Sequence, residues 1–364
     1  MVNQKNNFKS KNSFFLNLAF EQAKINLGST KTNPSVGCIV EKDGAVISSG
    51  HTSINGRPHA EFNALNKNKD FKNANIYLTL EPCSHYGLTP PCTNIIIKKK
   101  IKKVFFSFYD IDKRSKKRSK NILKKKNILI KGPFQKKNNL DFYQSYFLHH
   151  SKKLPLIDAK IGISNDYFTK NIKKKWITNL HSRKRAHLLR SMYDCIISTS
   201  KSINEDNSVL DCRIEGLEKK SPDLVIIDRN LKLKKNLKLF KKKRNRKILL
   251  FTSSNNKKKI IYLKNKGIKV FIIKSLRNKN DYKNLFLILK NKGYSRIFIE
   301  SGLTFLNFLV KSNFLKNIYI FKSTNNLKKN GLNFSSSNII KKISLRTLIN
   351  VNLFGDKLYK ERLK

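Results

Sequence analysis

The sequence predicts two α/β domains in series. Three observations carry this: a length of 364 residues, strand-like and helix-like runs that alternate through nearly all of it, and a 39% hydrophobic content that includes 24 Phe. At roughly 100–200 residues per domain the length accommodates two domains, and the apolar content can fill two cores, which argues against wholesale disorder. No apolar run approaches the roughly 20 residues of a membrane span. The start, MVNQKNNFKSKNS, lacks the apolar core of a signal peptide, so the expectation is a cytoplasmic protein with no membrane partner.

In the first 150 residues, Phe14 to Leu27 is apolar at helical spacing, and Asn33-Pro34 breaks the pattern before the strand-like Val36 to Val40. Asp43-Gly44 is a tight-turn signal joining that strand to Ala45-Val46-Ile47, which predicts a hairpin at a sheet edge. There follow a helix carrying His59-Ala60-Glu61 with Ala64 and Leu65, a strand Ile76 to Leu80, a helix around Asn94 to Lys100 and a strand Val104 to Phe108. A further helix-strand pair reaches Ile130, and Phe142 to His150 reads as a connecting helix before a boundary at Lys152-Lys153-Leu154-Pro155. This is a three-layer α/β pattern over residues 1–150.

Residues 151–364 start a second alternation. Strands are expected at Leu156 to Ile163, Cys195 to Thr199, Leu224 to Ile227, Ile248 to Phe251, Val270 to Ile273, Ile297 to Ile299 and Ile318 to Phe321. Helices are expected at Ser182 to Arg190, Asp281 to Lys290 and Phe305 to Val310. No internal repeat relates the halves.

The chain holds 78 Lys plus Arg against 23 Asp plus Glu, a formal charge of +55. Such a value first suggests a nucleic-acid binder. The lysines, however, recur almost everywhere among Asn, Ile and Phe rather than gathering on one motif. That is the signature of an AT-rich coding bias, so no specific nucleic-acid partner is expected, and steering of small anionic substrates is the next use of such a surface. Five cysteines, Cys38, Cys83, Cys92, Cys195 and Cys212, are an odd number without an export signal and argue against a disulfide framework.

The strongest local signal is His59-Ala60-Glu61 followed by Glu81-Pro82-Cys83 and, after eight residues, Cys92. One imidazole and two thiolates make three Zn²⁺ ligands and leave the fourth tetrahedral position open for water, the arrangement of a hydrolytic rather than a structural site. Glu61 is placed to take a proton from that water and return it to a leaving amine. His51, His149, His150, His181 and His187 show no metal-binding spacing, and Cys38, Cys195 and Cys212 read as core residues.

His-x-Glu with a downstream Pro-Cys resembles the zinc nucleotide and nucleobase deaminase signature. The longer stretch from Thr79 to Cys92 (TLEPCSHYGLTPPC) and the loop Asn33-Pro34-Ser35-Val36-Gly37-Cys38 resemble the riboflavin-biosynthesis pyrimidine deaminases. Leu88 departs from that family, which commonly has Arg there. His85 reads either as a pocket-lining residue, as the resemblance implies, or as a solvent-facing loop residue. In its bifunctional members the deaminase is fused to a reductase, and several later motifs are similar to that second domain: Leu156 to Ser164, Trp176-Ile177-Thr178, Leu188-Leu189-Arg190, Ser202 to Asn207, Leu210 to Arg213, and Ile299 to Leu306. The resemblance covers about residues 14 to 321.

The resemblance implies a cytidine-deaminase-like first domain and a dihydrofolate-reductase-like second one, with Zn²⁺ and NADPH as cofactors and a phosphorylated pyrimidine as substrate. Residue by residue, Gly162, Trp176, Ser202, Asp206, Gly302, Leu303, Thr304 and Phe305 match cofactor positions, and Arg190, Leu210, Arg213 and Glu300 match substrate positions. Arginines suit a substrate phosphate, which guanidinium binds in bidentate fashion. Lys160 and Asp206 are expected near the reacting ribose carbon. Departures cluster in the reductase: Asn165-Asp166-Tyr167 for the usual Leu-Asp-Gly, Lys173-Lys174-Lys175 before Trp176, and Ser323 to Leu327 in place of a Pro-Lys-Leu-Leu-Gly type of loop. They leave open a second reading in which only the deaminase functions. Assembly into a homo-oligomer is also left open.

Overall fold

The computed structural model describes residues 2–134, 140–151, 153–241, 246–333, 335 and 338–363, with side chains from residue 11 onward. The chain forms two compact units, Met1–Lys153 and Leu154–Lys364. Lys152, in the expected boundary, lies outside the described residues.

The first unit runs α1 (Val2–Lys24), β1 (Gly37–Lys42), β2 (Ala45–His51), α2 (Ala60–Leu65), β3 (Asn75–Leu80), α3 (Cys92–Lys98), β4 (Lys103–Phe108), α4 (Ser119–Lys124), β5 (Leu129–Lys131) and α5 (Leu140–His150). Its sheet has the order β2-β1-β3-β4-β5, with the expected β1–β2 hairpin at the edge. β3, β4 and β5 run parallel, and β1 is antiparallel to both its neighbours. Alternate residues face opposite sides. Ile39, Tyr77 and Phe105 pack under α1 with Phe15, Leu16 and Ala19, while Cys38, Val40, Ile76, Leu78 and Phe106 belong to the larger core with Ala60, Ala64 and Leu65 of α2.

Two glycines let the helices lie directly on the sheet. A Cβ on Gly37 would overlap the Ala19 carbonyl of α1, and one on Gly50 would overlap the Ala60 carbonyl and approach the Ala64 amide at 2.6 Å. Both layers therefore approach at backbone distance, and the start of α2, which carries the His-x-Glu motif, is pinned to β2.

Two expectations about helices are corrected. The first helix ends at Lys24 instead of continuing to Leu27, because the Asn26 side chain donates to the Thr52 carbonyl at 2.9 Å and draws the chain away. α5 is no mere connector. Tyr143 and Tyr146 are buried in the core, and Tyr143 packs among Phe20, Phe108 and Phe142. Its hydroxyl donates to the Ser35 carbonyl at 3.1 Å and meets Thr79 Oγ1 at 2.6 Å, while Thr79 accepts the Gly37 amide.

The second unit runs β6 (Leu156–Ile163), β7 (Lys170–Asn171), α6 (Leu180–Arg190), β8 (Cys195–Thr199), α7 (Ser200–Asp206), β9 (Asp223–Ile227), α8 (Lys238–Lys241), β10 (Ile248–Thr252), α9 (Lys257–Asn265), β11 (Ile268–Ile272), α10 (Lys279–Asn291), β12 (Arg296–Ile299), α11 (Leu303–Lys311), β13 (Asn317–Lys322), β14 (Gly331–Leu332) and β15 (Lys357–Arg362). Eight strands form one sheet in the order β11-β10-β9-β8-β12-β6-β13-β15, parallel except for the antiparallel β15. One face packs against α10 and α11 through Ile197, Val225, Phe251 and Ile299. The other packs against α6, α7 and α9 through Ile196, Leu224, Leu250 and Phe298.

After β11 the chain returns to insert β12 between β8 and β6, which makes the carboxyl ends of these three strands a topological switch point, where open α/β sheets bind ligands. α9 and β15 were not anticipated. α9 lies in a lysine run (KKKIIYLKN), yet Asn256 caps it by accepting the Lys259 amide, and Ile260 and Leu263 are buried. β15 (KLYKER) hides its alternation among charges, with Leu358 inward.

Gly50→Ala is expected to destabilise the first unit by about 1–3 kcal/mol, because the new methyl group must displace α2. Denaturant melting checks this, and the same variant should loosen metal retention at the site α2 carries.

Candidate active sites

In the first unit three sequence-distant elements bring the expected metal ligands together. His59 is the residue before α2, Cys83 follows β3 and Cys92 opens α3. Their ligand atoms all lie within 4.8 Å of one another. His59 Nδ1 is 3.4 Å from Cys92 Sγ and 3.6 Å from Cys83 Sγ. Zinc bond lengths of about 2.0 Å to nitrogen and 2.3 Å to sulfur, at a tetrahedral angle, separate N from S by roughly 3.6 Å. The donor set therefore fits a zinc ion in both chemistry and spacing.

The head of α3 stabilises the Cys83 thiolate: the Cys92 amide donates to Cys83 Sγ at 3.2 Å. The Cys92 thiol, against the opposing effect of burial, and the His59 ring then hold Cys83 down to about 4. Cys92 is pushed far up, first by its bond to Cys83 and then by burial. Glu61 is buried, and burial followed by the Cys83 charge pushes it up to about 7. A carboxyl balanced near neutrality can both take and give a proton.

Contacts beyond the motif brace the segments around this site. The buried Glu81 accepts from Ser119 Oγ at 2.6 Å and from the Lys117 amide at 3.0 Å. His85 is half-buried, and its Nδ1 meets Ser115 Oγ at 2.8 Å. Ser115 and Ser119 sit in the run SKKRSK, where no local signal marks them. The Ser35 loop is fixed by Tyr143 of α5, well beyond the motif.

In the second unit, Gly162, Glu300 and the Ser200 start of α7 come to the carboxyl ends of β6, β12 and β8. Glu300 and Arg190 form a buried bidentate pair, with Nε to Oε1 at 2.6 Å and Nη2 to Oε2 at 2.9 Å, and Lys160 Nζ stands 3.6 Å from Oε2. Burial alone would raise Glu300, but the Arg190 and Lys160 charges hold it at about 2. Arg190 also donates to the Asp211 carbonyl at 2.9 Å. The guanidinium of Arg190, expected at a substrate position, is thus oriented by Glu300 and the Asp211 carbonyl.

Arg213 keeps an exposed side chain and reaches His187 Nε2 at 3.1 Å. His187, which showed no motif spacing, links Arg213 to the Asp211 carbonyl at 2.7 Å, and burial with the two arginines lowers it to about 4. Leu210 is buried in the core and its carbonyl accepts from Arg246 at 2.7 Å, so its side chain is packing. Leu303 and Phe305 are likewise core side chains of α11. Gly302 precedes α11 and donates its amide to Ser202 Oγ at 3.1 Å, within a hydroxyl cluster with Thr199 and Ser301. Thr304 is exposed on the first turn, and Trp176 is exposed beneath Lys175 and Arg183. Asp206 ends α7, with Lys160, Lys170 and Lys175 near enough to attract its carboxylate.

Two of the sequence departures contact each other. Tyr167 has φ of 68°, the left-handed region where a glycine would be at ease, and Asp166 accepts the Leu327 and Lys328 amides at 3.0 and 2.8 Å. The altered turn and the altered loop hold one another.

A family model of the cytidine and deoxycytidylate deaminase zinc-binding region matches residues 9–108, and one of the RibD C-terminal domain matches residues 157–323. The riboflavin biosynthesis protein RibD of Aquifex aeolicus (strain VF5) is 30% identical over 310 residues, covering 84% of this chain and 85% of that protein. The chain belongs to the RibD family. The RibD of Buchnera aphidicola subsp. Baizongia pistaciae (strain Bp) is also 30% identical, over 330 residues, covering 85% of this chain and 86% of that one. The crystal structure of a Thermotoga maritima diaminohydroxyphosphoribosylaminopyrimidine deaminase/5-amino-6-(5-phosphoribosylamino)uracil reductase has the same fold, with a TM-score of 0.80 at 24% identity over 98% of this chain and 99% of that one.

Like the RibD family at large, the chain carries both a cytidine-deaminase-like domain and a RibD reductase domain. It is a bifunctional riboflavin biosynthesis enzyme, and nothing favours a chain reduced to the deaminase. Among the described residues no helix is long and apolar enough to cross a membrane.

Glu300 yields a pH prediction. Its folded value of about 2 lies below the ordinary value of 4.5, so the stability it contributes is fully present above pH 4.5 and is lost as pH falls towards 2. Glu300→Gln is expected to flatten that part of the stability profile and to cost about 3–5 kcal/mol at neutral pH, since it leaves Arg190 buried without its anion. Denaturant melting from pH 7 to pH 2 checks both.

Proposed function

We propose that the first unit is a zinc-dependent deaminase of 2,5-diamino-6-(5-phosphoribosylamino)pyrimidin-4(3H)-one. The second unit is then the NADPH-dependent reductase that turns the ribosyl of the deaminated product into a ribityl chain. The observation that carries the reading is the His59, Cys83 and Cys92 donor set with the buried Glu61 beside it. When bound there, zinc supplies the Lewis acidity that makes water a nucleophile at neutral pH. Glu61 takes the proton from the attacking water and hands it to the departing amine, which leaves as ammonia. Tyr143 fixes the Ser35 loop through the Ser35 carbonyl.

For the second step, NADPH, when bound, would supply hydride for C1′ of the ribosyl group. Amides at the start of α11 suit an anionic part of the cofactor, with Ser202 fixing the Gly302 amide and Trp176 offering an exposed ring. Arg213, exposed and held by His187 Nε2 at 3.1 Å and by the Asp211 carboxylate at 3.8 Å, is the arginine that reaches solvent and meets the substrate phosphate. Arg190 instead fixes Glu300, and Lys160 and Asp206 bring charge to the crevice where the ribose is reduced.

Separate assays of ammonia release and NADPH oxidation test this on zinc-loaded protein. Glu61→Gln is expected to lower ammonia release by about 10²–10⁴-fold. NADPH oxidation with the deaminated intermediate supplied directly should be unchanged. Ammonia release that survives Glu61→Gln would overturn the assignment. Cys83→Ser should lower zinc content along with deamination, again sparing the reductase.

A further inference from the structure

Two side chains at the edge of the deaminase site have no role in the steps above. Arg57 lies two residues before His59. Its Nε is shielded from solvent and, among the described residues, finds no hydrogen-bond partner. A shielded guanidinium nitrogen left unpaired is uncommon and calls for an anion, a water or a ligand atom.

Arg57 converges with His85 on one point. The position where a side chain on Gly87 would begin lies 3.8 Å from Arg57 Nη2 and 3.9 Å from His85 Nε2. His85 Nδ1 meets Ser115 Oγ at 2.8 Å, and that oxygen also accepts the Ser84 amide at 3.3 Å. The serine hydroxyl can give its own proton to Nδ1, and in that tautomer Nε2 is the N–H donor. Two polar nitrogens, one of them cationic, thus lie within 4 Å of the same point beside Gly87. The next residue, Leu88, is 87% exposed and contributes no charge.

We propose that Arg57, assisted by His85 Nε2, binds the phosphate of the deaminase substrate, supplying from position 57 the cation that position 88 lacks. The proposal rests on the reading that this substrate is a pyrimidine phosphate. It makes Arg57 a specificity-determining residue: it separates phosphorylated from dephosphorylated pyrimidines and takes no part in moving the proton. Guanidinium suits the task, since it offers parallel donors to two phosphate oxygens.

The test is ammonia-release kinetics for zinc-loaded wild type, Arg57→Gln, Arg57→Lys and the Arg57→Gln/Leu88→Arg double variant, each on the phosphorylated pyrimidine and its dephosphorylated counterpart. Arg57→Gln should raise KM for the phosphorylated substrate on the order of tenfold to hundredfold, with kcat changed less than about twofold and no comparable rise for the dephosphorylated one. Arg57→Lys should keep most of the affinity, and Leu88→Arg should recover part of what Arg57→Gln loses. An unchanged KM for the phosphorylated substrate, or an equal rise for both, overturns the proposal.

If wild type releases no ammonia from either pyrimidine, the functional reading fails. The subsite is then decided by calorimetry with inorganic phosphate. Heat of binding that Arg57→Gln abolishes supports it, and heat that is absent, or that the variant retains, overturns it.

Discussion

A charged group taken out of water must find a partner, and this constraint shapes both catalytic centres. In the second unit the carboxylate of Glu300 is tolerable only because Arg190 meets it with two parallel hydrogen bonds and Lys160 approaches from β6. The pair ties α6 to the end of β12, so the crevice formed by three strand ends keeps one shape. His187 and the Asp211 carbonyl extend the same network to Arg213. In the first unit Glu81 plays the corresponding part. Its carboxylate gathers the Lys117 amide and the Ser119 hydroxyl, fixing the segment that follows β4 beside the residue that leads into Cys83.

Much of this organisation is legible in the sequence, for identifiable reasons. Strands such as Leu224 to Ile227 and Ile297 to Ile299 are buried on both faces and read as continuous apolar runs, and the turn at Asp43-Gly44 fixes the edge hairpin. The ligand set is legible because metal chemistry restricts residue type and spacing at once. What escapes is held by tertiary contact. α5 looks like a connector until Tyr143 is seen to reach the Ser35 carbonyl across more than a hundred residues of chain. α9 and β15 are obscured because lysines occupy their exposed positions and dilute the periodicity of Ile260, Leu263 and Leu358. Arg190 shows the limit of inference from residue type. An arginine suits phosphate, and only the fold reveals that Glu300 and the Asp211 carbonyl orient this one.

The same excess of lysine bears on how acids are used. With only 23 acidic residues, many are set at structural joints rather than in surface ion pairs. Asp158 accepts from Tyr193 and Asn317, Asp228 from Ser200 and two backbone amides, and Glu361 from the Arg346 and Thr347 amides. Exposed ion pairs add little to stability, so a chain rich in lysine loses little by leaving most of its cations solvated. The folding information sits in the acids, histidines and small residues, and the lysines are largely spectators.

The insertion of β12 between β6 and β8 also orders events at the ribosome. Strands β8 to β11 can pair outward in sequence as they are made, but β6 has no neighbour within the sheet until Arg296–Ile299 emerges, well over a hundred residues after Leu156. Until then the flanks of β6 and β8 that will receive β12 are unpaired edges of apolar strand, and closing them means ordering a long loop late. The crevice at the carboxyl ends of β6, β12 and β8 is therefore among the last parts of the nascent chain to exist. A pause in translation before residue 296 would leave a deaminase unit whose own strands are complete, joined to a half-built sheet with exposed edges, a natural substrate for chaperones.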